Sequence, residues 1–104
     1  MLHTVKYSPF SHQALAHALR ELQPDDRLLL WQDGVIAATV AQSQASWGQV
    51  PWWQAPLQML ASSQRLYVMA EDLQARGLSQ AIGQPISMLD WVDLVAKLGS
   101  PQAW

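Results

Sequence analysis

Apolar positions follow two rhythms along this chain: short runs or alternations, and stripes that return every three or four residues. In "LHTVKY", residues 2–7, Leu2, Thr4 and Lys6 alternate with His3, Val5 and Tyr7, a strand pattern with β-branched and aromatic members. "SPF" then offers Ser8 as a helix cap with Pro9 in the first helical position, or Ser11 as a later cap. In "HQALAHALREL", Leu15, Leu19 and Leu22 recur with Ala14 and Ala18 beside them, the apolar face of a helix that "QPDD" ends. Leu28 to Trp31 is an unbroken apolar run, as in a strand covered on both faces, and "GVIAATV" reads as the start of the next helix.

The same unit returns twice. "RLYVM", residues 65–69, precedes "AEDLQARG", a short helix that Gly77 is placed to end. "ISML", residues 86–89, precedes Asp90 as cap of "DWVDLVAKL", with Gly99 and Pro101 as the stop. Parallel strands need crossovers, so this alternation predicts one α/β domain over 1–104: a three-layer α/β/α arrangement with a mostly parallel sheet of four to five strands. Residues 41–63 break the rhythm as a Trp-rich insertion, with Trp47, Trp52 and Trp53 around Pro51, and Ala55 to Leu60 readable as a helix.

Composition narrows the chemistry. The chain has no cysteine, which removes disulfides, thiolate metal sites and sulfur nucleophiles. Its net charge is −2 and its six Lys and Arg are scattered, so no basic stripe is present to neutralise a phosphate backbone. The N-terminal residues carry no signal-peptide pattern and no apolar stretch is long enough to span a membrane, so a cytoplasmic protein is expected. Charged residues make up 13% of a chain with six Trp, which leaves little polar covering for a lone monomer and points to a buried partner surface.

In an open parallel sheet, ligands bind beyond the carboxyl ends of the strands. Acids sit at three of these ends: Asp33 between Gln32 and Gly34, the pair Glu71 and Asp72, and Asp90. One reading is a carboxylate cluster for a divalent cation, the basis of an alternative in which the chain is a stand-alone, metal-binding, receiver-like domain. The other is that each acid caps the helix it precedes, making structural strand-to-helix turns, and this explains the positions without further function. A receiver would also need an acid after the first strand, where Lys6 and Tyr7 stand. His12 and His17 lie five apart and do not share a helix face, and His3 reads as a structural imidazole within a strand. No catalytic residue, metal set or nucleotide fingerprint emerges, and no cofactor is expected. Trp31 and Trp91 read as core, Trp91 beside Val92, Leu94, Val95 and Leu98. Trp47, Trp52 and Trp53 are candidates either for an interface or for local packing, and Trp104 for a peg into a neighbour or a lid on its own sheet.

"MLHT" at 1–4, "SPF" at 8–10, "LLLWQDGVIAA" at 28–38, "LYVMAEDLQARGL" at 66–78 and the closing "AW" together resemble the TusB/DsrH family. The resemblance implies a DsrE/DsrF/DsrH-like, flavodoxin-like fold. It also implies a sulfur-relay complex with TusC-like and TusD-like subunits, acting in 2-thiolation of the wobble uridine of tRNA, with the persulfide on a cysteine of the TusD-like subunit. Some DsrH-type relatives in sulfur-oxidation complexes carry a cysteine on the first helix, where "SHQALAHALREL" has none. The expectation is a non-catalytic subunit of the thiolation branch that meets tRNA only indirectly, with self-association of the isolated chain left open. Residues 41–63 depart from the family pattern in length and Trp content.

Overall fold

The computed structural model describes residues 1–43, 51–78 and 81–104. Trp47 lies outside the described residues, as does much of the first half of the Trp-rich stretch. Five strands form one sheet: β1 (Leu2–Val5), β2 (Arg27–Leu30), β3 (Leu66–Met69), β4 (Gln84–Ile86) and β5 (Gln102–Ala103). Their order is β4-β3-β2-β1-β5, and every neighbouring pair is parallel. The helices are α1 (Ala14–Glu21), α2 (Ile36–Ser43), α3 (Gln54–Ser62), α4 (Ala70–Ala75) and α5 (Met88–Leu98). The three-layer α/β/α expectation holds, with all five strands parallel.

Strand order explains how the helices are shared between the two faces. The connections from β1 to β2, β2 to β3 and β3 to β4 all step the same way across the sheet, whereas the one from β4 to β5 returns past β1. Crossovers of one hand therefore put the first three on one face and the last on the other. Residues of α1, α2, α3 and α4 indeed share a core with Val5, Leu28, Leu30, Leu66 and Val68. On the opposite face, α5 alone supplies Trp91, Leu94 and Val95 against Leu2, Leu29, Tyr67, Met69 and Ile86. Leu28, Leu29 and Leu30 are fully buried, which is why β2 reads as a continuous apolar run.

Several boundaries differ from the sequence reading. The first strand stops at Val5, and α1 begins only at Ala14 after Gln13, because Ser8 spends its groups on a local turn. Its carbonyl accepts the N–H of Ser11 and of His12, and its Oγ accepts the N–H of Phe10. Gln32–Val35 is a 3-10 turn, so α2 begins at Ile36. The last crossover is displaced further. β4 covers Gln84–Ile86, and α5 already starts at Met88 with Ser87 as its cap. Gly77 does end α4, with φ at +67°: its N–H bonds the Gln74 carbonyl and the next N–H, of Leu78, bonds that of Leu73.

Candidate functional site

The carboxyl ends of the strands carry the acids, and Asp33, Glu71 and Asp72 reach across to other elements, Asp72 also pairing with Arg76 one turn along. Asp33 caps nothing. Its Oδ1 accepts from Arg76 Nη2 at 2.9 Å and Nε at 3.1 Å, and its side chain is 62% exposed. Since β3 runs into α4 without a loop, Glu71 and Asp72 fall inside the first helical turn. From there Asp72 Oδ2 accepts the N–H of Gln32 at 2.7 Å, the first N–H of the 3-10 turn. Glu71 Oε2 accepts the N–H of Met88 at 3.0 Å, the first of α5. Two neighbouring carboxylates on a central crossover thus satisfy the orphan donors of the elements on either side, a use of charge favoured at helix N-termini.

Asp90, expected as a cap, is the third residue of α5, and its own N–H donates to Ser87 Oγ at 3.1 Å. Ser87 carries no acid signal, which is why the displaced boundary hid it. Gln32 has φ at +49° and opens the turn. Gly34 is required by proximity: a Cβ there would stand 2.3 Å from the Val5 carbonyl oxygen, with the Gly34 N–H bonded to the carbonyls of Trp31 and Lys6. The turn is therefore seated directly on the end of β1. Among the described residues no three His, Asp or Glu side chains are grouped to hold a metal ion. Glu71 and Asp72 already serve backbone donors, and Asp33 serves an arginine.

The tryptophans separate. Trp53 is core, only 4% exposed, with its Nε1–H donating to the Ala37 carbonyl at 3.1 Å. The interface expectation is corrected for this residue. Pro51 and the start of α3 turn it inward onto α2, where the indole N–H finds a buried acceptor. Trp52 is 54% exposed and stands edge-on to Trp53, which Phe10, also exposed, meets edge-on from another side. Beside Trp52 an open groove of about 660 Å³ runs between α1 and α3, with Leu19, Leu22, Pro56 and Met59 among its walls and Arg20 beside them. Trp104 lies half-buried over its own sheet.

A second apolar surface was missed in the sequence. Met88, Leu89 and Val92 on α5 are exposed, Leu89 by 79% and Val92 by 55%, and so is Leu98. Val92 and Leu98 belong to the apolar series beside Trp91, of which Leu94 and Val95 pack against the core. At about 100° per residue, Leu89 and Val92 are turned away from Trp91 and Leu94 while Met88 borders the covered stripe beside Val95, so apolar residues ring more of α5 than one covered stripe needs.

Between the amino end of β2 and the sheet edge lies a buried polar group. His3 Nε2 is 2.8 Å from Asp26 Oδ2, and Asp26 Oδ1 accepts from the Met1 ammonium at 3.1 Å. Burial pushes the Asp26 carboxyl up. The N–H of Gln23, the His3 ring and the ammonium outweigh it and hold the group down at about 2.

Compared with known proteins, the chain matches the family described as "DsrH like protein" over residues 7–100. The chain belongs to the DsrH-like family. Among curated relatives of this family, "Protein TusB" of Erwinia tasmaniensis is 37% identical over 108 residues, covering 100% of both chains. "Protein TusB" of an Escherichia coli O1:K1 strain has the same identity and coverage. "Protein TusB" of Pectobacterium parmentieri is 36% identical over 95 residues, covering 91% of this chain and 87% of its own. Membership places the chain with sulfur-relay subunits, and it has no cysteine. Among the described residues no helix is long and apolar enough to cross a membrane.

Proposed function

We propose that this chain is a non-catalytic subunit of a cytoplasmic sulfur-relay complex acting in 2-thiolation of the wobble uridine of tRNA, assembled with TusC-like and TusD-like subunits. The observation that carries the reading is the missing cysteine in a member of this family. Mobile sulfur travels as a persulfide formed by a thiolate nucleophile, and methionine thioethers, the only sulfur here, have no such group to offer. What remains for the chain to contribute is surface. Met88, Leu89 and Val92 on α5, and Trp52 beside the α1–α3 groove, are exposed apolar groups of the kind that interfaces cover. The acids at the strand ends are structural turns, and the tRNA is met through the partners, as the net charge of −2 suits.

Co-expression with the TusC-like and TusD-like proteins of the same cell tests this. One assembly should elute, and trypsin-digest mass spectrometry after sulfur loading should find the persulfide on the TusD-like subunit and none on this chain. Partners that assemble and thiolate tRNA equally well without it would end the proposal.

A further inference from the structure

His3 is 3% exposed, and both of its ring nitrogens are engaged. The Trp104 Nε1–H reaches His3 Nδ1 at 3.1 Å, with the two rings within 22° of parallel. An indole N–H can only donate, so Nδ1 must be the acceptor and the single ring proton sits on Nε2, directed at Asp26 Oδ2. The contacts therefore specify one neutral tautomer. β5, by contrast, is held by little: it pairs with β1 only at Gln102 and Ala103, both exposed, and Trp104 N–H adds a bond to the Thr4 carbonyl at 3.0 Å.

We infer that His3 and Trp104 form a proton-sensitive latch on the edge strand β5, closed while the imidazole is neutral and opened when Nδ1 takes up a second proton. Protonation turns the acceptor facing Trp104 into a donor, leaving two N–H groups opposed at the present 3.1 Å. The Asp26 carboxylate meets the imidazolium from the other side as its counter-charge, so of the ring's two hydrogen bonds only the one with Trp104 is lost. The other charged groups around the ring leave this balance in place. The Met1 ammonium is on the far oxygen of Asp26, and Arg65 at the start of β3 is bound to the carbonyls of Gln23, Pro24 and Asp26. Arg27 on β2 is bound to Tyr67 Oη on the opposite face, His17, Arg20 and Glu21 of α1 and Asp25 before β2 are exposed, and β5 carries no charged side chain. Opening bares the backbone groups along the outer edge of β1, a surface able to pair with another strand.

The test is a ¹⁵N NMR titration of the full chain from about pH 8 to about pH 5, the interval in which imidazoles titrate. The Trp104 indole is assigned with Trp104→Phe and the His3 nitrogens by their long-range ring couplings. As Nδ1 protonates, the Trp104 indole signal should move to the position of a free indole with the same midpoint. The Gln102 and Ala103 amides, with the intrinsic pH dependence of exchange divided out, should lose roughly five- to tenfold in protection, the factor for losing one ordinary hydrogen bond. In Trp104→Phe the step in β5 exchange should vanish, and in His3→Asn, which keeps an acceptor near Nδ1 but cannot gain a proton, the indole signal should stay constant. An indole and β5 amides that ignore protonation of His3, a ring that stays neutral throughout, or a Trp104 transition with a different midpoint would each overturn the latch.

Discussion

The two faces of the sheet differ in how completely they are closed. On one, four helices converge, and Leu57, Leu15, Val35 and Ala38 are sealed against Leu28, Leu30 and Val68. On the other, α5 lies alone, burying Trp91 inward while Met88, Leu89 and Val92 stand in solvent. Both faces come from the same sheet and equally apolar strands. Strand order makes the difference, since only the last crossover doubles back. The closed face is the one on which stability should depend most, and we propose the exposed side of the single helix on the other as a surface for a partner.

The largest effect that would break this comparison is on the closed side. Leu57→Ala should cost about 3 kcal/mol in urea denaturation, as for a fully buried leucine that leaves a cavity; a loss below 1 kcal/mol, on the order of a surface substitution, would show that face to be loosely packed. Next comes Asp26. Its folded-state value of about 2 lies below the ordinary 3.8, so its contribution is complete above about pH 4 and fades as pH falls through about 2. The amount at stake is about 2 kcal/mol at 1.36 kcal/mol per unit. The stability gap between the wild type and Asp26→Asn should shrink over that window; a gap independent of pH would refute the assignment.

Asp33→Ala should cost under about 1 kcal/mol, because its pairing with Arg76 is an exposed ion pair and not a helix cap. Added salt should shrink that difference further. Leu89→Ser should change the stability of the isolated chain by no more than about 0.5 kcal/mol, yet weaken co-purification with the partner subunits. If binding is retained in full, α5 is not the surface they use.

Much of the fold is legible along the chain because burial on a sheet imposes its own periodicity. The run from Leu28 to Leu30, the stripe of Leu15, Ala18 and Leu19, and the glycine stop at Gly77 are local signals with local causes. The site was read less well. The acids at the strand ends stand out, but the donors they serve, Gln32 and Met88, lie 40 and 17 residues away. Trp53 and Trp52 are adjacent and chemically identical, and only the packing of α3 against α2 sends one inward.

Sequence by itself determined the alternation of strand and helix, the absence of a thiol and hence of any persulfide on this chain, and the family to which it belongs. Those follow from side-chain identity and from repeats of a few residues, which need no knowledge of what folds next to what. Tertiary structure alone decided which face of the sheet is closed, which carboxylate caps which element, and that His3, Asp26 and Trp104 meet. Their partners are brought together by strand order across as many as 101 positions of sequence, and no local pattern encodes such a distance.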